Sequence, residues 1–237
     1  MRFNRDNVTD VMKRMLLSTL AFGLCSLFSA SAAAQSRNLL AEMQAIANAL
    51  GVTCEHCHVA PAGSPLPQPK KDIARQMMAM TRELNAKVQA ATGKPATEAT
   101  QVTCATCHRG VPIPKPLGQV IAQTLQEKGV EAAAAQYRDL RTRFYGRATY
   151  DFTEDELLNI ARPIASIRPG DAISLLELNI EFNPRSAKSY ALMGFAYTRK
   201  FDDESALASL EKAAELDPAN GEIQGQLTQL KMLRRKR

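Results

Sequence analysis

Three features of the sequence predict an all-α protein with two helical regions. Apolar residues recur every three or four positions through most of the chain, which is the spacing of one face of a helix. Two C-x-x-C-H motifs, at 54–58 and 104–108, each follow such a segment and a turn. Beyond residue 116, related positions recur with the period of a repeat built from paired helices.

The segment 1–34 is predicted to be a secretory signal peptide. Lys13 and Arg14 precede an apolar run that ends at Phe28, and small residues fit cleavage near Ala34. An uncleaved membrane anchor is the alternative, but an apolar run of about 14 residues is short for a membrane span of about 20. The sequence therefore predicts an exported, periplasmic protein.

Cysteine usage agrees with export, and the net charge bears on the possible partners. The chain has five Cys, and the four that follow the predicted signal peptide all lie in the two motifs. The formal net charge of +6 falls to +4 once the four cations and two carboxylates of that peptide are removed. Such a modest charge gives no reason to expect a nucleic-acid partner.

The two C-x-x-C-H motifs predict covalent attachment of two c-type haems. Two thiols on one turn can each form a thioether with a porphyrin vinyl group, and the following His is carried under the iron as an axial ligand. The predicted attachment residues are Cys54, Cys57 and His58 in the first motif and Cys104, Cys107 and His108 in the second. Structural zinc and disulfides are the alternatives, although a zinc site does not require a His after each C-x-x-C pair.

A helix is predicted before each motif, over 37–50 and over 70–91. Gly51 is expected to end the first helix. The apolar stripes are Leu39, Met43, Ile46 and Leu50 in the first helix and Ile73, Met77, Met80, Leu84 and Val88 in the second.

Each iron needs a second axial ligand or an open position. His56 lies inside the first motif and is poorly placed to reach the iron there, so Met is the predicted ligand. Met43 lies on the apolar face of the first helix. On the second helix Met77 and Met80 share the apolar face, and Met78 points about a quarter-turn away. The alternative is that these Met side chains fill a core.

The segment from about 38 to 116 resembles the cytochrome c subunit of photosynthetic reaction centres and its relatives. The matching residues are Met43 and the segments 50–58, 74–85 and 102–110. The resemblance implies that a helix with an axial Met and then a turn precede each C-x-x-C-H. It implies Met43 as ligand of the first iron and Met77, the first Met of an M-x-x-M pair, as ligand of the second. The reaction-centre subunit has four haems, whereas this chain has two motifs.

The stiff, proline-rich segment 111–116 is predicted to separate two domains. A dihaem cytochrome c domain is expected over 35–116 and a helical domain over 117–237. Thr153 and Glu156 fit a capping box at the start of one helix. The predicted helices are 117–128, 130–144, 154–166, 170–182, 187–199, 203–216 and 220–234.

The repeat in the second domain resembles a tetratricopeptide. Asn183-Pro184 and Asp217-Pro218 lie 34 residues apart, the period of that motif. One good repeat, one degenerate repeat and a terminal helix are expected, fewer than the roughly three needed for independent stability. The region is predicted to hold a groove for a partner protein; a helical cap without a ligand is the alternative.

These features predict an all-α multihaem cytochrome c domain of helix-turn-CxxCH units, followed by a tetratricopeptide-like region. The predicted function is electron transfer in the periplasm through two His/Met-ligated haems. The protein is expected to be an electron carrier and not an enzyme. Its expected partners are redox proteins that act as donor and acceptor, in solution or on a membrane. A dihaem peroxidase-type enzyme with one open iron and a tetratricopeptide scaffold are the alternatives.

Overall fold

The computed structural model describes residues 38–59 and 68–235, so the predicted signal peptide lies outside the described part. Within these ranges the chain forms helices and turns without any strand, which confirms the predicted all-α class. The chain divides into two compact units, one ending at Ile113 and one beginning at Pro114. In the described ranges, no helix has both the length and the apolar character that a membrane span requires.

The first unit consists of helices that surround the two C-x-x-C-H motifs. Its elements are α1 at 38–50, a 3₁₀ turn at Cys54–His56, α2 at Pro69–Thr92 and α3 at Cys104–His108. Helix α1 ends where predicted, because Gly51 takes a left-handed conformation with φ +65°. The N–H of Val52 then donates to the carbonyl of Ala47 at 3.1 Å, which closes the end of the helix.

The second unit contains seven helices among the described residues. They are α4 (Leu117–Lys128), α5 (Val130–Phe144), α6 (Glu154–Ile164), α7 (Pro169–Phe182), α8 (Ala187–Arg199), α9 (Asp203–Leu216) and α10 (Gly221–Arg235). Each bound lies within two residues of the prediction. Successive helices from α6 to α10 pack on one another, and α4 and α5 pack on α6 and α7.

Close approach of α8 and α9 depends on small residues. A Cβ added to Gly194 would lie 2.7 Å from a side-chain carbon of Leu210 and 3.2 Å from the carbonyl oxygen of Ala206. Ala206 and Leu210 are buried and form a cluster with Leu227 and Leu230 of α10. The pairing of small and large side chains lets three helices share one core.

A buried polar network joins α7 to its neighbours. The side-chain amide of Asn179 donates to the carbonyl oxygen of Glu154 at 2.9 Å and to the hydroxyl of Ser189 at 2.8 Å. Its carbonyl oxygen accepts from the Asn183 side chain at 2.9 Å. Because Asn179 is fully buried, these bonds offset the cost of removing its amide from water.

The predicted capping box at the start of α6 is wrong. Thr153 is the N-cap residue, but its side chain makes no capping hydrogen bond. The carboxylate of Glu156 instead accepts from the backbone N–H of Gly118 at 2.8 Å. Helix α4 starts after Pro116, whose side chain has no acceptor for the free N–H groups of the first turn. Glu156 of α6 supplies this acceptor for one of those N–H groups.

Candidate haem-binding sites

The first C-x-x-C-H motif folds into a single tight turn. The N–H groups of Cys57 and His58 both donate to the carbonyl of Cys54, at 3.2 Å and 2.9 Å. Cys54 and Cys57 are free thiols, the first exposed and the second half-buried. A hydrogen bond from the Thr53 side chain lowers the pKa of the neighbouring Glu55 carboxyl. The turn therefore presents two thiols and an imidazole together, with an anionic side chain beside them.

One apolar cavity, called here the first-motif cavity, lies between α1, this turn and the start of α2. All four residues predicted to hold the first haem line it, namely Met43, Cys54, Cys57 and His58. Its apolar wall is made by Leu39, Ile46, Leu50, Val52, Ala74 and Met78. The fold thus brings together a thioether, two thiols and an imidazole in an apolar setting.

The second motif is a short helix, α3, with a reciprocal cap. The Thr103 N–H donates to the Thr106 hydroxyl at 3.0 Å, and the two hydroxyl oxygens lie 3.3 Å apart. This capping box lacks the usual sequence signal, because Thr106 occupies the position where Glu or Gln is usual. Cys104 and Cys107 are free thiols here too.

The imidazole of His108 is oriented by the backbone that follows it. Its Nδ1 lies 3.0 Å from the carbonyl oxygen of Val111. Since a carbonyl oxygen only accepts, Nδ1 carries a proton, and in the neutral imidazole Nε2 is then the nitrogen with the lone pair. A metal-binding His in proteins commonly has its second nitrogen fixed in this way.

Helix α2 is tied to the approach to the second motif through Asn85. Its side-chain amide donates to the Val102 carbonyl at 2.9 Å, and its side-chain oxygen accepts from the Val102 N–H at 2.7 Å. One side chain therefore satisfies both backbone groups of a residue two positions before Cys104. This role of Asn85 has no signal in the sequence, since a lone Asn in a helix forms no motif.

The segments that flank the two motifs, before the first and after the second, meet at their backbones. The N–H of Gly110, two residues after His108, donates to the carbonyl of Ala49 at 2.8 Å. A Cβ added to Gly51, three residues before Cys54, would lie 2.2 Å from the Gly110 carbonyl oxygen. The contact is close enough to require glycine, so the end of the second motif is held against the start of the first.

The candidate Met ligands on α2 lie in different surroundings. Met78 lines the first-motif cavity and also a second cavity beside Thr103 and Cys104, called here the second-motif cavity. Met77 is half-buried and lines neither of these cavities, and Met80 is 42% exposed. The side of α2 that packs within the unit carries Ala74, Met78 and Asn85. The predicted apolar stripe is largely on the surface, with Ile73, Met80 and Leu84 exposed.

The donor atoms in these two places match the needs of haem c. Each motif offers two thiols for thioether bonds and an imidazole for the iron, and the first-motif cavity adds the thioether of Met43. Within the described ranges, no three His, Cys, Asp or Glu side chains come together as a metal-ion site. The two C-x-x-C pairs are therefore not assembled into one four-thiolate site.

Comparison with known proteins gives one family match. The model of the family described as photosynthetic reaction centre cytochrome C subunit matches residues 67–157. That span is less than half of the chain; it contains α2 and the second motif, and it leaves out Met43 and the first motif. No curated protein matches the chain. The family match supports covalently bound haem c, an electron-transfer role and redox proteins as partners.

Proposed function

We propose that the protein is an exported dihaem c-type cytochrome that carries electrons in the periplasm, with His and Met on both irons. The observation that supports this most strongly is the first-motif cavity. It gathers Met43, Cys54, Cys57 and His58 from two separate elements, and the rest of its wall is mainly apolar. A thioether and an imidazole that line the same mainly apolar cavity would suit a haem iron with both axial positions filled.

Haem c supplies a one-electron couple when bound, and the residues of this chain provide attachment and rigidity. The thiols of each motif would hold the porphyrin covalently, each by adding to a vinyl group. The carbonyl of Val111 holds the His108 ring in one orientation, and Asn85 anchors the backbone before the second motif. Restricted motion around an iron favours electron transfer because little has to rearrange when its charge changes.

The proposed His/Met ligation would favour a carrier over an enzyme. With both axial positions filled by the protein, an iron has no open position for a substrate. A Met ligand also raises the reduction potential relative to a second His. Met43 is the proposed ligand of the first iron and Met77 that of the second, the latter from the resemblance of the M-x-x-M segment.

The second unit is proposed to dock a redox partner through a tetratricopeptide-like groove. A cavity called here the repeat groove lies between α6, α8 and α10, and it includes Arg162, Lys188, Phe195 and Ile223. Phe195 is 43% exposed there. An exposed aromatic side chain in a concave surface is a typical anchor for a protein partner.

Haem counting on motif variants tests the proposal. The intact mass of the mature protein should include two haems. Cys54→Ser with Cys57→Ser and Cys104→Ser with Cys107→Ser should each remove one. If neither double variant changes the haem content, attachment at these motifs is wrong.

Ligand variants test the assignment of the irons. Met43→Ala and Met77→Ala should each convert one haem from low-spin to high-spin, while Met78→Ala and Met80→Ala serve as controls on the same helix as Met77. If Met78→Ala or Met80→Ala changes the spin state and Met77→Ala does not, that residue and not Met77 is the ligand of the second iron.

The docking role needs a separate test on the intact protein. Phe195→Asp should slow reduction of the ferric protein by a membrane fraction of the source organism, with haem content unchanged. Ile167→Asp is the control, since Ile167 is 74% exposed and lies outside the repeat groove. Equal reduction rates for both variants would show that the repeat groove plays no part in electron delivery.

A further inference from the structure

The first-motif cavity has a cationic side that the predicted ligands do not explain. Lys71 and Arg75 of α2 are among its lining residues. They are four positions apart in the helix and therefore lie on the same face, one above the other. Among the described residues that line the cavity, none is acidic. Two positive charges thus border an otherwise mainly apolar space.

A haem has a shape and charge that match this arrangement. Its macrocycle is apolar, and its two propionate groups are carboxylates on one edge. A buried carboxylate without a cation or hydrogen-bond donors is costly, so propionates require partners or water. Lys71 is half-buried and the Arg75 side chain is 72% exposed, so both cations line the cavity while they remain in contact with solvent.

The side chain of Arg75 has donors to spare for a carboxylate. It already pairs with Asp72, with 2.6 Å between a guanidinium nitrogen and a carboxylate oxygen. Both partners are mostly exposed, and an exposed pair of this kind contributes little to stability. Guanidinium has five N–H donors in a planar fork, so Arg75 can bind a second carboxylate without losing the first.

We propose that Lys71 and Arg75 bind the propionate groups of the first haem, and that they position this haem and raise its reduction potential. The inference rests on the proposed function, since it requires a haem on Cys54 and Cys57. Positive charge near the iron favours the reduced state, which carries one positive charge less. Neutralised propionates act in the same direction, because free carboxylates would stabilise the oxidised iron.

Redox titration of the full-length, haem-loaded protein tests the inference. In Lys71→Gln with Arg75→Gln, one of the two one-electron waves should move to lower potential while the other stays. We expect the reduced-to-oxidised ratio of that haem at a fixed potential to fall about tenfold, which is about 59 mV for a one-electron couple. Arg75→Lys and Lys71→Arg keep the charge and should restore most of the wild-type value.

Lys70→Gln is the matched control. Lys70 precedes Lys71 in α2, is exposed and does not line the cavity. If it moves the same wave as far as Lys71→Gln does, the effect is general surface charge and the inference is wrong. Unmoved waves in the double glutamine variant also overturn it.

Resonance Raman spectra give a readout independent of the potential. The propionate bending bands of one haem should shift in the double glutamine variant and stay in place in Lys70→Gln. Unchanged bands in a protein with two haems overturn this inference alone. A wild-type protein with no haem on Cys54 and Cys57 overturns the proposed function and this inference with it.

Discussion

The carbonyl group of Gly110 lies directly against the α-carbon of Gly51, so that a Cβ at position 51 would be 2.2 Å from the Gly110 oxygen. Gly51 ends the helix that carries Met43, and Gly110 follows the motif that contains His108. The contact joins the segments that flank two motifs far apart in sequence, and it is made by backbone atoms.

Gly51→Ala is predicted to destabilise the first unit. Alanine in the left-handed conformation costs about 1–2 kcal/mol. The added methyl group also has to displace the Gly110 backbone, which breaks the bond from the Gly110 N–H to the Ala49 carbonyl. We expect a further loss of about 1 kcal/mol or more from that bond. Urea unfolding followed by haem absorbance measures the change.

Gly93→Ala is the matched control for this prediction. Gly93 has nearly the same φ, +67°, but a Cβ there would meet nothing within 4 Å. The loss of stability in Gly93→Ala should therefore come from the left-handed backbone conformation alone. Equal costs for the two variants would show that the approach of Gly110 does not constrain Gly51.

Asn85→Ala is predicted to loosen the second motif. The substitution leaves the partly buried N–H and carbonyl of Val102 without their partner, at a cost of about 1–3 kcal/mol. Since Val102 lies just before Cys104, we expect altered absorption from one haem and the other unchanged. Asn48→Ala is the control, because the exposed Asn48 side chain accepts a hydrogen bond from Gln44, one turn earlier in α1. Identical spectra for both variants would contradict the anchoring role of Asn85.

Asn179→Ala should destabilise the second unit by about 1–3 kcal/mol. It removes the hydrogen bonds that the buried Asn179 amide donates to the Glu154 carbonyl and to the Ser189 hydroxyl, and the latter keeps the bond from the Ser186 hydroxyl. Far-UV circular dichroism during urea unfolding measures the loss. Asn159→Ala, at an exposed position of α6, should change stability by less than about 0.5 kcal/mol. A loss at Asn159 as large as at Asn179 would be inconsistent with the buried network.

Glu156→Gln is predicted to remove a pH dependence of stability. Burial raises the pKa of the Glu156 carboxyl above its usual value of 4.5, against the effect of the Gly118 N–H. The folded protein therefore holds the proton at a pH where the unfolded chain has released it. Binding of this proton stabilises the folded state fully below pH 4.5. The stabilisation is lost as the pH rises through the folded-state pKa of Glu156.

The stability of the wild type relative to Glu156→Gln should therefore fall as the pH rises from below 4.5 to neutral. The amide oxygen of Gln can still accept from Gly118, so the cap itself remains. Urea unfolding of both proteins over this pH range gives the difference. A difference that is constant or that rises with pH would contradict the assignment.

The helices were predictable because their apolar residues keep a regular spacing and their ends carry clear signals. Gly51 ends α1 as expected, and the bounds of α4 to α10 agree closely with the predicted ones. The C-x-x-C-H motifs can be recognised in the sequence because haem attachment requires a fixed spacing over five residues. A local sequence pattern is sufficient to predict a structural feature when the interactions that produce the feature are themselves local.

What the sequence did not reveal depends on contacts between distant positions. The bond between Glu156 and Gly118 spans 38 residues, and it takes Glu156 away from the local cap that its spacing suggests. The packing side of α2 is another example. Its most apolar stripe includes Met80, but the side that packs within the unit carries Met78 and the polar Asn85. Hydropathy cannot identify a side that is chosen by a hydrogen bond to another segment.

A haem assay combined with oxidised and reduced absorption spectra, on protein matured in a periplasm, tests the central claim most directly. The proposed function predicts two covalent haems per chain, both low-spin, with a Met-to-iron charge-transfer band in the ferric state. The ferrous protein should not bind carbon monoxide rapidly. One high-spin, CO-reactive haem would indicate an enzyme instead of a carrier, and a chain that holds zinc without haem would contradict the account entirely.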